Sequence, residues 1–343
     1  MTTVTARSGP PAPLRERLPG PVGAAGAWFR RSGVAAQILT LVIVVAVFAI
    51  GTGGKYLAWS NVQVILSLAA IPAIFAIGLH PTIVPGGIDL SVQGVASLCA
   101  VFVGLLLKNQ FNSHDLGLWI VPICMLVGAV AGAVNGLLNA ALKIPSFIAS
   151  LGMGWILYGL AVYLGKAVNV QLLDTRIGDF VSATLFGIPQ IAIVAAVFAV
   201  LVQLVEDRTR FGRYMYAIGG DEVIARQAGV KIGLTKVALF TTAGVIYGLA
   251  SVLLTCRLGI ATSRMGLTLL FPTVTAVAVG GVALTGGIGG AKNAALGALI
   301  VTALNDGLVL MHVSPYIQQA VNGVVLIVAV ALTIDRKKLG FIK

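Results

Sequence analysis

Two carboxylates stand inside otherwise apolar runs of this chain: Asp89 in PGGIDLSVQG (Pro85 to Gly94) and Asp306 in LNDGLVL (Leu304 to Leu310). A carboxylate at bilayer depth costs about 3 kcal/mol on insertion scales, so each needs a partner or a task. Asp89 follows Gly86-Gly87 and precedes Ser91. It is placed either to cap a helix start, taking up free N–H groups, or to face a solute pathway. Asp306, beside Asn305, is placed for the pathway or for an interhelical hydrogen bond. The other polar groups in these runs are mainly amides: Asn135, Asn139, Asn305, Gln318, Gln319 and Asn322, with Ser91 and Gln93 next to Asp89. Amides and hydroxyls donate and accept without imposing charge, which suits a neutral, hydroxylated solute. They also tie helices together in lipid. The candidate pathway residues are therefore Asp89, Ser91, Gln93, Asn135, Asn305, Asp306 and Asn322.

A power source is missing from the chain itself. GGIGGAKN (Gly286 to Asn293) imitates a GxxxxGK[ST] phosphate loop, but Ala291 replaces the required glycine and Asn293 the hydroxyl residue. It reads as a glycine-rich hinge. HExxH and GxSxG are absent, His80, His114 and His312 are scattered, and Cys99, Cys124 and Cys256 have neither metal nor disulfide spacing. An integral membrane enzyme would lack a nucleophile–base pair or a metal cluster. A self-contained ion-coupled carrier would place several ionisable relays inside the bundle, and only Asp89 and Asp306 are available.

The elements that position these residues are membrane spans. The 343 residues are 58% hydrophobic and 10% charged, against about 25% charged in soluble domains. With about 20 apolar residues per span, ten are predicted: 34–53, 62–79, 88–107, 118–141, 145–165, 187–205, 236–256, 268–285, 292–312 and 315–334. Glycine and proline break the second-to-third junction and the eighth span; the candidate breaks are Gly86, Gly87, Gly280, Gly281, Gly286 and Gly287. The net charge of +12 is topological and does not point to nucleic acid. With the N-terminus inside, 17 Lys and Arg fall on the cytoplasmic side and 6 outside, so both termini are expected in the cytoplasm. Gly128, Gly132 and Gly136, with Gly244 and Gly248, have the spacing that lets helix backbones approach. The domains expected are a disordered tail over 1–33, a transmembrane domain over 34–334 and a C-terminal tail over 335–343. Residues 206–236 form the one long cytoplasmic loop.

That loop contains a short helix with Asp221 as N-cap, Glu222 in its first turn and Gly229 as its stop. Seven intervening residues give about 10 Å of helix, too little to be stable alone. Either it is a solvated loop fixing topology, or Val223, Ile224 and Gln227, beside Arg226, present a docking face.

GGIDLSV (Gly86 to Val92), AIGGDEVIARQAGV (Ala217 to Val230) and AVAVGGVALTGGIGG (Ala276 to Gly290) resemble the permease subunits of ribose-type ABC sugar importers, within the branched-chain amino-acid/ribose permease superfamily. The likeness runs from about residue 35 to 338. It implies an all-α inner-membrane protein of bacteria, non-catalytic itself, working as a homodimer or with a sister permease. Two cytoplasmic ATPase subunits would carry ATP and Mg, and an extracytoplasmic solute-binding protein would deliver a monosaccharide or polyol. Gly219, Gly220, Asp221, Glu222, Ala225, Arg226 and Gly229 would form the ATPase-coupling helix. The alternative within the family is a permease for another hydroxylated metabolite, such as a nucleoside, a signalling furanose or a sugar acid. The sequence departs from the pattern at Gln93, where glycine is common, and at Asp221, usually asparagine. It departs again in Gly266 to Thr275, which lacks a familiar acid, and at Asp306, often an amide.

Overall fold

The computed structural model describes residues 34–333. The expectations for the 1–33 and 335–343 tails lie outside the described residues, as does residue 334, the predicted end of the permease domain. Thirteen helices follow in order: α1 (Ala35–Gly51), α2 (Trp59–Ile83), α3 (Val92–Leu106), α4 (Ile120–Ala141), α5 (Ser146–Gly165), α6 (Arg176–Ser182), α7 (Gln190–Arg208), α8 (Arg210–Gly220), α9 (Glu222–Gln227), α10 (Ile232–Leu258), α11 (Leu270–Val279), α12 (Ala291–Leu310) and α13 (Pro315–Thr333). Four two-residue strands, β1 (Val170–Gln171), β2 (Thr184–Leu185), β3 (Ile188–Pro189) and β4 (Ile260–Ala261), pair antiparallel as β1–β4 and β2–β3. The chain is an all-α integral membrane protein.

Each of the ten predicted spans has an apolar helix, but not all have spanning length. Seven are long and apolar enough to cross a membrane; Ala35–Gly51, Val92–Leu106 and Met265–Val279 are shorter. The eighth predicted span, 268–285, is corrected most. Its regular helix stops at Val279, because Gly280-Gly281 turns the chain, and the ten residues of α11 reach about 15 Å, half a hydrocarbon core.

The core forms where α10 packs against α4, α2 and α3. Tyr247 and Phe75 meet there, ring centroids 6.4 Å apart, both fully buried. The α4–α10 contact is made by glycine, with Gly128 and Gly244 backbone to backbone. Because the helices alternate in direction, the ends of α2, α4, α7 and α11 gather with the starts of α3, α5, α10 and α12. This face also carries α8 and α9, and is called the basic end below. The strands and α6 lie at the opposite end, where Arg176 pairs with Asp174 and Asp115 and holds the Asp174 carboxyl below the usual range.

Candidate functional site

The first break begins where α2 is terminated at Gly86. Gly87 N donates to Thr82 O (2.9 Å) and Gly86 N to Ile83 O (2.8 Å), with Gly86 at φ +86°. This paired closure needs a left-handed residue, which glycine supplies at no steric cost. The next residues run extended toward α3, so their amides lose helical partners. Two serines of α5 replace them: Ile88 N donates to Ser146 Oγ (3.0 Å) and Leu90 N to Ser150 Oγ (2.9 Å). Asp89 finishes the work, its Oδ1 accepting from Ser91 N (2.9 Å) and Ser91 Oγ (2.6 Å). Non-helical backbone at depth survives only when protein satisfies it in this way.

Asp89 thus stabilises the break three residues before α3 begins, and is itself fully buried. Ser91 and Asn135, whose Nδ2 lies 3.5 Å from Asp89 Oδ1, are buried with it. The role of Oδ1 gives a test. Asp89→Ala strands the Ser91 amide, which costs about 1–3 kcal/mol, whereas Asp89→Asn keeps an acceptor oxygen. The alanine variant is expected to lower the melting midpoint in detergent by several degrees, and the asparagine variant to stay near wild type. Equal loss in both would show that the charge, and not the acceptor, holds the break.

The second break repeats the device. Gly281, at φ +82°, closes α11 through Val282 N to Val277 O (3.2 Å) and Gly281 N to Ala278 O (2.9 Å). Gly280 is present for a different reason: a Cβ there would lie 2.1 Å from Asn293 O. The freed Gly280 carbonyl accepts from Gln37 Nε2 (2.7 Å) and Asn293 Nδ2 (3.1 Å). Gly286, Gly287 and Gly289 also have positive φ. The two breaks touch, since Gly287 N donates to Val84 O at 2.8 Å.

The loop at the basic end is more ordered than its composition indicates. Residues 210–220 form α8, a helix where a loop was expected; Gly219 and Gly220 therefore end α8 and are not part of the short helix. A Cβ on Gly219 would meet Val84 O at 2.1 Å and Gly287 N at 2.8 Å, so α8 ends directly on the junction of both breaks. The helix α9 follows as expected, with six residues. Asp221 Oδ1 accepts from Val223 N (2.8 Å) and Ile224 N (3.0 Å). Gly229, at φ +84°, closes the other end through Val230 N to Ala225 O (3.1 Å). Ala225 packs inward with Ile218, Val230 and Ile232. Glu222 bonds Lys236 Nζ (2.7 Å) and Arg226 (3.0 Å), and the Lys236 contact holds its carboxyl below the usual range. Val223 and Ile224 are left 66% and 63% exposed, a bare apolar step beside Arg226.

The candidate pathway residues do not form one constellation. Asp89, Ser91 and Asn135 sit by the first break at the basic end. Asn305, Asp306 and Asn322 lie toward the other end, where Asn61 Nδ2 donates to Asp306 Oδ2 (2.9 Å) and Asn322 Nδ2 to Asn305 Oδ1 (2.9 Å). Asp306 accordingly ties α12 to α2. Gln93 is buried against Gly154 of α5, and its carbonyl would lie 1.8 Å from a Cβ on Gly266. Among the described residues no three His, Cys, Asp or Glu side chains converge to hold a metal ion. Sequence reasoning missed His80 and Glu206, which meet in the buried interior although 126 residues apart. The signal that was legible is an acid closing an apolar run.

A profile described as "Branched-chain amino acid transport system / permease component" matches residues 61–330. The galactose/methyl galactoside import permease of Escherichia coli K12 is 30% identical over 321 residues, covering 89% of this chain and 94% of that protein. The ribose import permease of Haemophilus influenzae is 32% identical over 299 residues, 86% of this chain and 91% of that one. A probable ABC transporter permease of Escherichia coli K12 is 31% identical over 303 residues, 87% and 88%. No solved structure gives a significant match.

Proposed function

The chain belongs to the branched-chain amino acid transport system permease family, and on that premise we propose that it is the membrane subunit of an ATP-driven importer for a monosaccharide or related polyol. A separate cytoplasmic ATPase binds ATP and Mg, an extracytoplasmic solute-binding protein delivers the sugar, and a second permease, identical or sister, completes the channel. The membrane is the bacterial inner membrane, with the basic end in the cytoplasm.

The observation that carries this reading is the placement of α8 and α9. A six-residue helix capped at both ends, with Val223 and Ile224 bare, is built to seat in another protein. Immediately before it, Gly219 rests on Val84 and Gly287, where both breaks meet. A displacement of α9 by an ATPase therefore reaches the two non-helical segments within one turn of helix. Such segments re-form at small cost, so they are where alternating access would be made. The sugar class is supported by the relatives, which are named for galactose and ribose import, and by the amide and hydroxyl character of the interior.

Tagged chain purified from its native membranes in mild detergent is expected to bring down an ABC ATPase and a solute-binding protein, and the ligand of the latter names the substrate. Gradient-driven uptake by the chain alone in liposomes would overturn this reading in favour of an ion-coupled carrier.

A further inference from the structure

We infer that the cavity between the far ends of α3 and α5 is a lipid site. One acyl chain of an anionic phospholipid lies in it, and the lipid phosphate pairs with Lys166 at its edge. The cavity has a volume of about 360 Å³, within the range of small-ligand sites. It lies at the end of the bundle opposite the basic end and belongs to neither break.

Both helices start at the basic end and finish side by side. Backbone meets backbone at Gly94, where a Cβ would lie 2.3 Å from Gly154 O. Farther along, contact passes through side chains, with Val101 against Gly165, and the cavity opens beside them. Val101, Gly104 and Ala261 of β4 are buried on its inner wall. Leu105, Phe111 and Val168 are exposed and form its mouth. Lys166 carries the one polar side chain on the wall. A monosaccharide needs several convergent hydrogen-bonding groups, so the cavity does not suit the imported solute. The mouth is apolar as well. Opening to water it would form an exposed apolar patch, whereas lipid tails meet it at no such cost. Ile156, Leu160 and Tyr163 of α5 are exposed too, so this helix borders the lipid.

The lysine fixes the polar end of the ligand. Lys166 closes α5 at φ +51° and Ala167 follows at φ +55°, with Val168 N donating to Gly165 O (3.0 Å). Two successive non-glycine residues in the left-handed region are uncommon. Here they turn the chain around the edge of the cavity. Lys166 is exposed and forms no ion pair with another described residue. A lysine at the end of a spanning helix stands at headgroup depth, where it attracts anionic lipid. A free cation above an apolar cavity with an apolar mouth is complementary to an amphiphile with an anionic head. Occupation has a consequence for the first break. α3 leads away from that break, and α5 supplies Ser146 and Ser150, which hold it. A bound acyl chain braces the same two helices at their other ends.

The test uses the purified full chain in mild detergent, with phosphatidylglycerol as the anionic probe and phosphatidylcholine for comparison. Native mass spectrometry is expected to show phosphatidylglycerol retained in preference, and added phosphatidylglycerol to raise the melting midpoint. Lys166→Gln should weaken its retention about fivefold. Lys55→Gln, at an exposed lysine of the same end outside the cavity, should not. Val168→Trp fills the mouth and should abolish both retention and the thermal shift. Phosphatidylglycerol with a photoreactive acyl chain needs no variant. It is expected to label residues 101–111 and 164–170, and unlabelled lipid to suppress that labelling. Labelling spread evenly over the exposed helices, or not reduced by unlabelled lipid, would overturn the site. Equal retention of the two lipids, unchanged in Lys166→Gln, would overturn the pairing with phosphate. Cross-linking of Val168→Cys chains to one another, with no lipid labelling, would give the mouth to a second copy instead. None of these readouts involves an ATPase or a sugar, so this inference and the importer reading can fail separately.

Discussion

Gly128→Ala is expected to prevent α4 and α10 from packing, although it adds a single methyl group to an apolar helix. The Cβ would lie 1.9 Å from Gly244 O, and the reverse substitution would put a Cβ 1.9 Å from Gly128 O. The same seam continues with Gly132 against Phe240 O at 2.1 Å, Gly136 against Val237 Cα at 2.6 Å and Gly248 against Cys124 O at 2.2 Å. The obstacle is backbone in every case, so no rotamer change relieves it. Lipid tails are as apolar as the helices, and close contact is what holds a membrane bundle together. Separating the two helices at one point also opens the adjacent glycine contacts. A cost of about 3 kcal/mol is expected for alanine, and more for valine. Gly152→Ala is the control, since nothing lies within 4 Å of a Cβ on that exposed residue of α5. Yield and melting midpoint after size exclusion in detergent should collapse for Gly128→Ala and hold or rise for Gly152→Ala. Equal behaviour of the two would mean that the seam is not the source of the fold's stability.

The glycine spacing of that seam was legible in the sequence, because glycine at i, i+4 lets helix backbones approach closely in lipid. The helix α9 was readable for a similar reason: Asp221 and Gly229 act through their own backbone neighbours, so local sequence contains the whole interaction. The end of α11 was harder. Gly280, Gly281, Val282, Ala283 and Leu284 are apolar whether helical or extended, and hydropathy does not distinguish the two. Helix α8 was read as loop because its arginines mask a periodic apolar face at Phe211, Met215 and Ile218. The His80–Glu206 contact needs α2 and α7 to be adjacent, which no local pattern encodes. Asp306 shows the same limit. Its neighbour Asn305 is visible in sequence, but its partner Asn61 lies 245 residues away, and only the packing of α12 on α2 brings them together.

Val223→Asp/Ile224→Asp is expected to leave the chain folded and to strip it of its ATPase. Neither side chain supports α9, which is held from below by Ala225 and from its ends by Asp221 and Gly229. Burying two such aliphatic side chains in a partner is worth about 1.5–3 kcal/mol each. Since each 1.4 kcal/mol is tenfold in affinity, losing both weakens docking by about a hundredfold or more, before the cost of desolvating the new carboxylates is added. Co-purification of the ATPase should therefore disappear while the melting midpoint of the chain stays within about 2 °C of wild type. Ala225→Asp provides the contrast. It puts a charge into the cluster of Ile218, Val230 and Ile232, so it should release α9 from the bundle and lower the melting midpoint together with ATPase retention. If the ATPase stays bound to the Val223→Asp/Ile224→Asp chain, the exposed step is not the docking face. The weight then moves to the basic residues of α8, and Gly219 at the junction of the two breaks becomes the point at which force would have to enter.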